Sequence, residues 1–453
     1  MRFKNRKVFL RECLKLASQL EFKESFGCAS GANKMLTHPL ITTLKGLKGN
    51  PRAVVFTEPL WGIPYNLFIP YASIYMLALG VKDAQIGMIT SLGMIIQVFF
   101  ALISGAITDK FGRRWVTFIS DILSWSIPVL IWAIAQNIWY FIIAAVFNAM
   151  WRIPANSWTC LMVEDADEDS LVHIWTWIYI SAQLSAFFAP LAGLLVGSLE
   201  LVPAVRLMYF FAFIMMTAKA WILFRYSTET DQGKIRMAET KQVPIFNLLK
   251  GYRGILKRIL KTPRMVVILG LQFVFGVVWM VQGTFWSILV TERLGIPDEH
   301  LALFPFAKSA LMLLLYFLVV PRINLKRFRN PMLLGIIGFI TANILLVTIP
   351  PQNYGLLLLS VLIDALSIAT FIPLVDSLAI ISIDKEERAR INSILSVVVI
   401  TLTSPFGWIA GQLSEVNKTY PFILIIGLFV LGAVLVLLAW HFKDHRFSDE
   451  LRS

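Results

Sequence analysis

The chain has 453 residues, of which 57% are hydrophobic and only 15% are charged. A soluble domain has no interior large enough for that much apolar surface, so the composition excludes a soluble protein and indicates a polytopic membrane protein. A formal net charge of +13 would also suit a nucleic-acid-binding protein, but the positions of the charges favour a role in membrane orientation. The three cysteines have neither disulfide-framework nor metal-ligand spacing, and we expect no metal, cofactor or nucleic-acid partner.

Twelve apolar runs are long enough to cross a hydrocarbon core of about 30 Å, which takes about 20 helical residues. Backbone groups in lipid must be paired within the chain, so each run is predicted to be a helix. We expect an all-α integral membrane fold with twelve transmembrane helices, numbered 1 to 12, in two pseudo-symmetric six-helix bundles. The runs lie near residues 53–79, 85–107, 115–135, 138–162, 172–198, 203–224, 265–290, 301–320, 332–350, 355–382, 391–413 and 420–441.

Polar segments divide the chain around the two sets of six runs. The predicted parts are an N-terminal tail 1–51, a first bundle 52–225, a connector 226–263, a second bundle 264–442 and a C-terminal tail 443–453. The connector is predicted to contain either an amphipathic stretch around Phe246–Leu260 on the membrane surface or a solvated linker helix. The first 34 residues lack the apolar core of a signal peptide, and we hypothesise that translation begins at Met35.

An internal repeat supports the two-bundle division. The sequence LKGLKGNPRAVV at Leu44–Val55 recurs as LKRILKTPRMVV at Leu256–Val267, at an offset of 212 residues. Two halves built alike are the architectural basis of alternating access in many transporters.

Lysine and arginine are strongly biased toward one predicted side. If both termini are cytoplasmic, 34 of the 41 lie in cytoplasmic segments and only 4 in outer loops. This positive-inside pattern predicts a multi-pass protein of the cell membrane with both termini in the cytoplasm.

The segment GAITDKFGRR, between helices 2 and 3, contains the most specific motif. Its spacing resembles the loop motif of the major facilitator superfamily of secondary transporters, and the matching positions are Gly105, Asp109, Lys110, Gly112, Arg113 and Arg114. The glycines are expected to permit close helix approach and a tight reversal. The resemblance implies a conformational latch, in which Asp109 meets the start of helix 11 near Asn392 and Arg113 pairs with Glu164 or Asp165. The alternative is a solvated charge cluster of little energetic value.

Charged residues within spans are costly and usually face a cavity or a partner. Glu58 on helix 1 and Arg152 on helix 4 are both predicted about 9 Å from the inner membrane edge. Since the resemblance places both helices around a central cavity, we expect a Glu58–Arg152 pair that couples protonation to conformation or contacts substrate; the alternative is a static salt bridge. Asp364 on helix 10 is a second candidate proton or substrate site; the alternative is a buried structural hydrogen bond. For Lys219 and Asp121 we expect snorkelling or hydration near the cytoplasmic edge.

Two helices have polar residues repeated along one face. Asn148, Arg152 and Asn156 share a face of helix 4, and Gln272, Trp279, Gln282 and Trp286 share a face of helix 7. Amides and aromatic rings suit an organic solute with apolar faces and hydrogen-bonding edges, so these residues are candidate cavity-lining residues. Interhelical packing is an alternative role.

The pattern predicts a secondary active transporter whose partners are a small organic solute, protons and the lipid bilayer. Ala189-Pro190 and Gly193 partly resemble a signature of drug/proton antiporters, which favours export of a drug or metabolite, although helix 4 departs from the matching signature. A sugar or metabolite importer, or a transporter-like receptor or lipid translocase, are the alternatives. The sequence has no P-loop, HExxH or GxSxG motif in its proper context, so we do not expect an enzyme. The solute and the oligomeric state stay open.

Overall fold

The structure is a computed structural model and describes residues 44–166, 168–244, 263–318, 329–381 and 388–441. Every regular element in these residues is a helix. The proposed start at Met35 and the predicted stretch Phe246–Leu260 lie outside them. Residues from Leu47 onward cluster as one compact unit, and the finer division into tails, bundles and connector stays a prediction.

Helix 1 contains four prolines, and two of them, Pro59 and Pro70, lie where the helix is segmented. Proline lacks a backbone N–H and its ring clashes with the preceding turn, so it interrupts helical hydrogen bonding. The helix consists of Gly49–Thr57, Pro59–Phe68, a 3₁₀ turn at Ile69–Tyr71, and Ala72–Ala78. The first interruption falls at Glu58, directly before Pro59.

The other helices of the first half are long and apolar. They are helix 2 at Asp83–Phe111, helix 3 at Arg113–Ala133, helix 4 at Ile138–Val163, helix 5 at Glu168–Ala186 and Ala189–Leu199, and helix 6 at Leu201–Tyr226. Helix 3 contains a π-helical segment, Ile122–Ser126. A connector helix, Asp231–Thr240, follows helix 6.

The second half repeats the pattern. It contains helix 7 at Pro263–Ile288 with a π turn at Leu289–Arg293, a 3₁₀ turn at Asp298–His300, helix 8 at Leu303–Leu318, helix 9 at Arg329–Thr348, helix 10 at Tyr354–Ile381, helix 11 at Arg388–Val416 and helix 12 at Tyr420–His441. Ten helices in the described residues are long and apolar enough to cross a membrane. Segmented helix 1 and helix 8 are compatible with the other two predicted spans.

Each half has an aromatic core between equivalent helices. In the first half, Phe68 of helix 1 lies 5.0 Å from Tyr209 of helix 6, and Trp132 of helix 3 lies 5.5 Å from the same ring. In the second half, Phe339 of helix 9 stacks on Phe429 of helix 12 at 4.6 Å. Large apolar side chains face outward, such as Leu194 (71% exposed), as expected of a surface that contacts lipid.

The two halves meet through helices 2 and 11 and through helices 5 and 8. We call the end of the molecule that bears the turn between helices 2 and 3 the loop end. The opposite end, where helix 2 begins and helix 11 finishes, is the Asp83 end. The predicted polar loop is in fact shorter than expected, because helix 2 continues to Phe111 and helix 3 begins at Arg113, leaving Gly112 as the one non-helical residue.

Candidate functional site: a cavity between the two halves

A cavity of about 690 Å³ lies between the two halves. Its walls come from both sets of helices, on the parts of those helices nearer the Asp83 end. Most of the wall is apolar or aromatic. The polar side chains that line it include Thr90, Gln97, Asn148, Gln282, Thr284, Ser287, Lys308, Asn343, Ser360 and Asp364.

One ion pair lies in the cavity wall. Lys308 Nζ of helix 8 is 2.6 Å from Asp364 Oδ2 of helix 10, and Gln282 Nε2 of helix 7 donates to Asp364 Oδ1 at 3.4 Å. The Lys308 side chain is 30% exposed and that of Asp364 11%. The ammonium is therefore the more accessible charge. The sequence left Lys308 unassigned, because the spacing within helix 8 alone does not show which side chain it faces.

Of the candidates on helix 7, Trp279, Gln282 and Trp286 line the cavity. Trp286 also contacts Phe304 edge-on, with 5.9 Å between ring centroids. Gln272 is half-buried and is not in the cavity wall, because it lies two turns before Trp279, closer to the loop end. Its expected role as a cavity-lining residue is corrected.

On helix 4 the predicted polar face divides in the same way. Asn148 lines the cavity and donates to the backbone carbonyl of Ser124 at 2.9 Å. Asn156 is not in the wall, and instead donates to Thr108 Oγ1 of helix 2 at 3.2 Å. Asn156 is an interhelical packing residue here, which corrects its assignment to the cavity.

The expected Glu58–Arg152 pair is not formed; no ion pair joins the two in the described part of the chain. Arg152 Nε donates to Gln97 Oε1 at 3.2 Å, and its guanidinium lies 4.0 Å above the ring of Trp151. Arg152 therefore supports a residue of the cavity wall. Matching depth did not bring Arg152 and Glu58 together, because depth does not fix the direction in which a side chain leaves its helix.

Glu58 forms no ion pair at contact distance in the described residues, and the charges that act on it are those of Lys219 and Asp121, which belong to helices 6 and 3. Lys219 Nζ lies 2.9 Å from Asp121 Oδ2, and both side chains are buried. The expectation that these two residues are hydrated near the membrane edge was wrong. They are paired with each other inside the first half.

An ion pair that sequence analysis did not predict joins the two halves at the Asp83 end. Asp83, the first residue of helix 2, has a side chain that is 3% exposed. Its Oδ2 accepts a hydrogen bond from Lys418 Nζ at 2.8 Å and another from the hydroxyl of Ser414. Glu415 Oε2 accepts the backbone N–H of Ala84 at 3.3 Å. An acid at the start of one helix and a lysine after the end of another could have suggested the pairing, since each suits the local helix dipole.

Close glycine packing accompanies this ion pair. A Cβ built at Gly87 of helix 2 would lie 2.3 Å from the carbonyl oxygen of Gly407 on helix 11 and 2.8 Å from the Cα of Gly411. A Cβ at Gly193 of helix 5 would lie 2.2 Å from the carbonyl oxygen of Glu299. The halves thus approach at backbone distance on two sides of the Asp83 end.

The sequence model of the Major Facilitator Superfamily matches residues 61–407, which is more than half of the chain. The chain belongs to the Major Facilitator Superfamily. Its fold class is confirmed by this match and by the all-helical structure. A search of curated proteins finds no match.

Solved structures of the superfamily fold cover most of the chain. A mutant of the nucleoside transporter NupG aligns with a TM-score of 0.69 at 15% identity, covering 87% of this chain and 100% of that one. A POT family transporter in complex with 5-aminolevulinic acid aligns with a TM-score of 0.66 at 14% identity, covering 88% and 99%. The xylose transporter XylE from E. coli, in an inward open conformation, aligns with a TM-score of 0.64 at 12% identity, covering 87% and 96%. The family indicates a secondary transporter rather than an enzyme, and the structures show its fold.

The superfamily motif forms a buried polar cluster at the loop end. The Arg113 side chain is 4% exposed, and its Nε lies 3.0 Å from Glu164 Oε2 at the end of helix 4. Arg113 Nη2 donates to Asp109 Oδ1 at 3.1 Å. Asp109 Oδ2 lies 3.9 Å from Arg236 Nε of the connector helix, and none of the bonds between described side chains joins Asp109 to helix 11. The side chain of Asn392, near which Asp109 was expected to meet helix 11, lies outside the described residues, so that contact stays a prediction.

Glu229, which sequence analysis did not single out, caps helix 3. Its Oε1 and Oε2 accept the backbone N–H groups of Arg113 at 2.8 Å and Arg114 at 3.0 Å. Gly112 has φ +84°, and a Cβ there would lie 2.6 Å from Glu229 Oε2, so this glycine serves the tight reversal. A Cβ at Gly105 would meet nothing within 4 Å, so Gly105 makes no close helix approach here.

The two other cations of the motif bind backbone carbonyls. Lys110 Nζ donates to Val243 at 3.0 Å, just beyond the connector helix. Arg114 Nη2 donates to Phe224 at 2.8 Å, and its guanidinium lies 4.1 Å above the Phe224 ring. These bonds attach the end of helix 6 and the residues after the connector helix to the turn between helices 2 and 3.

Proposed function

We propose that this protein is a proton-coupled secondary transporter that moves a small organic solute bearing a negatively charged group through the central cavity by alternating access. The observation on which the proposal depends is the Lys308–Asp364 pair, which lies in a cavity between the two halves. Because Lys308 is the more accessible partner, an anionic group of the solute can bind its ammonium, while Gln282 offers a hydrogen-bonding edge.

The size and the walls of the cavity support this class of solute. A volume of about 690 Å³ is within the range of ligand pockets, about 300–1,000 Å³. Trp279 and Trp286 supply flat apolar surface, so a solute with an aromatic or aliphatic body next to its charged group fits best. A lipid with two long chains would exceed this space.

The two ends of the molecule supply the elements that alternating access requires. The pairing of Asp83 with Lys418 closes one end, and its bonds must break for that end to open. The motif cluster around Arg113 is the proposed latch at the loop end, which the positive-inside pattern assigns to the cytoplasm. The Asp83–Lys418 pair joins segments of the two halves, which must separate at this end in a cycle between two states.

We propose export as the direction of transport. The support is the partial antiporter signature at Ala189-Pro190 and Gly193, whose glycine permits the close approach to Glu299 between the halves. Cells that overproduce an exporter accumulate less of the solute than control cells. Greater accumulation would indicate an importer and would contradict this part of the proposal.

The proposal is tested with purified protein in liposomes under an imposed pH gradient and a panel of labelled organic anions. A hydrogen bond to a charged group contributes about 1.5–3 kcal/mol, so Lys308→Met should weaken the apparent affinity about 10- to 150-fold. Lys241→Met is the matched control, because Lys241 is exposed and outside the cavity. Wild-type affinity in Lys308→Met would refute the proposed solute class. Solute binding without transport across the liposome membrane would instead indicate a receptor. Transport of a labelled lipid would indicate a lipid translocase.

A further inference from the structure

Three charged side chains, Glu58, Asp121 and Lys219, form a cluster inside the first half, which we call the triad. Lys219 and Asp121 are in contact, at 2.9 Å, with side chains 8% and 7% exposed. Glu58 is half-buried and interacts electrostatically with both. None of the three lines the central cavity. The triad lies seven to nine residues from the loop end of its helices, about 10–14 Å along their axes.

The charges of the triad do not balance. Two carboxylates and one ammonium leave a net charge of −1 when all three groups are ionised, and an uncompensated buried charge costs several kcal/mol. The charged groups that act on Glu58 are Lys219 from helix 6 and Asp121 from helix 3. From the neighbouring helices, Asp165 at the end of helix 4 bonds Asn50, two turns from Glu58. One added proton would neutralise the triad.

The backbone is irregular at two members of the triad. Helix 1 is interrupted at Glu58, because Pro59 has no N–H to give to the preceding turn. Helix 3 changes to π geometry directly after Asp121, over Ile122–Ser126. Interruptions and π segments are places where helices change their bend, and both are frequent at functional sites. A change of charge at the triad therefore acts on two helices that can respond to it.

The internal repeat gives Glu58 no acidic counterpart in the second half. The offset of 212 residues between the halves aligns Glu58 with Gly270 on helix 7. Gly270 packs against Leu435 of helix 12, the helix equivalent to helix 6. The corresponding contact is thus apolar in the second half.

We propose that the triad binds the coupling proton of the transport cycle on the carboxylate of Glu58, while the Lys308–Asp364 pair of the cavity binds the solute. Proton binding converts the Glu58 carboxylate to a carboxylic acid and takes the triad from a net charge of −1 to neutral. Lys219 then pairs with Asp121 alone. Release of the proton restores a carboxylate that attracts Lys219, which draws helix 1 toward helix 6. This inference rests on the proposed function, and it names the site of coupling.

The test measures the conformation of the full chain in lipid nanodiscs as a function of pH. Spin labels are attached at Lys82→Cys and Val416→Cys, two exposed positions on opposite halves at the Asp83 end, with the native cysteines replaced by serine. In the otherwise native chain, we expect the distance distribution to shift along a one-proton titration curve. Glu58→Gln should abolish the shift, and Glu58→Asp should retain it with a displaced midpoint. Glu239→Gln, the same substitution at an exposed carboxylate outside the triad and the cavity, is the matched control and should retain it.

A shift that persists in Glu58→Gln, that is absent from the native chain, or that is lost in Glu239→Gln overturns the proposal. Infrared spectra of the same samples supply a second measurement. The band of protonated carboxylic acids that appears on acidification should be weaker in Glu58→Gln by the contribution of one group; an undiminished band overturns the assignment to Glu58. Failure of the proposed function is distinguishable, because it would show as absence of gradient-driven uptake by a protein whose titration at Glu58 remains.

Discussion

The closed Asp83 end leads to the sharpest prediction. Asp83→Asn or Lys418→Met should shift the protein toward a state that is open at this end. The buried Asp83 carboxylate accepts both Lys418 and Ser414, which belong to the other half of the molecule, so every bond that it makes to them must break on opening. Removing the charge from either partner therefore destabilises the closed state selectively.

The size of the effect follows from burial. A hydrogen bond to a charged group contributes about 1.5–3 kcal/mol. Asp83 is 3% exposed but the Lys418 side chain is 28% exposed, so we take about 2 kcal/mol, at the lower part of that range. This corresponds to about a 30-fold change in the ratio of closed to open states. The double variant should behave like either single variant, because both substitutions remove the same bond.

Spin-label distances between positions 82 and 416 measure the ratio directly. Lys234→Met is the matched control, since Lys234 pairs with Asp231 within the exposed connector helix and joins nothing across the halves. If single variants keep the native distance distribution, or if their effects add in full in the double variant, the pair does not hold the Asp83 end closed.

Three further predictions concern other contacts. Gly87→Leu should open the Asp83 end by steric clash with the backbone of helix 11, whereas Gly105→Leu, which has open space around it, should leave the spin-label distances unchanged. Glu229→Gln should lower the free energy of unfolding by about 1 kcal/mol, because helix 3 loses its charged cap. Thermal unfolding in detergent measures this change, and the control Glu239→Gln, at an exposed residue, should have little effect. Burial and, to a smaller extent, the nearby acids Glu299 and Glu292 raise the pKa of Asp298 above its ordinary value. The folded state therefore keeps this proton to a higher pH than the unfolded state, and the free energy of unfolding should fall as pH rises from the ordinary pKa through the raised one. Asp298→Asn should flatten this part of the plot of unfolding free energy against pH.

The fold was predictable because the sequence patterns that indicate it extend over many residues. Runs of about 20 apolar residues and the spacing of the motif around Gly112 survive errors of a few residues at each boundary. Part of the site was predictable for a similar reason. Trp279 and Gln282 recur at helical spacing, and the exposed cavity face of helix 7 has the same period.

Contacts between distant helices were not predictable in the same way. Depth in the membrane paired Glu58 with Arg152, but the side chains leave their helices in different directions and bind different partners. Lys219 and Asp121 looked suited to the membrane edge because each was considered alone. Asp83 and Lys418 are separated by more than 300 residues, and no local pattern connects them.

The position of Trp279 makes this residue an intrinsic fluorescent probe of the central cavity. Its side chain is 66% exposed and borders the cavity, so a solute that enters should change the emission of this indole without any attached dye. The chain has 14 tryptophans, and replacing Trp279 by phenylalanine would isolate its share of the signal by difference. Unlabelled compounds can then be screened by fluorescence quenching before a transport assay for any one of them exists.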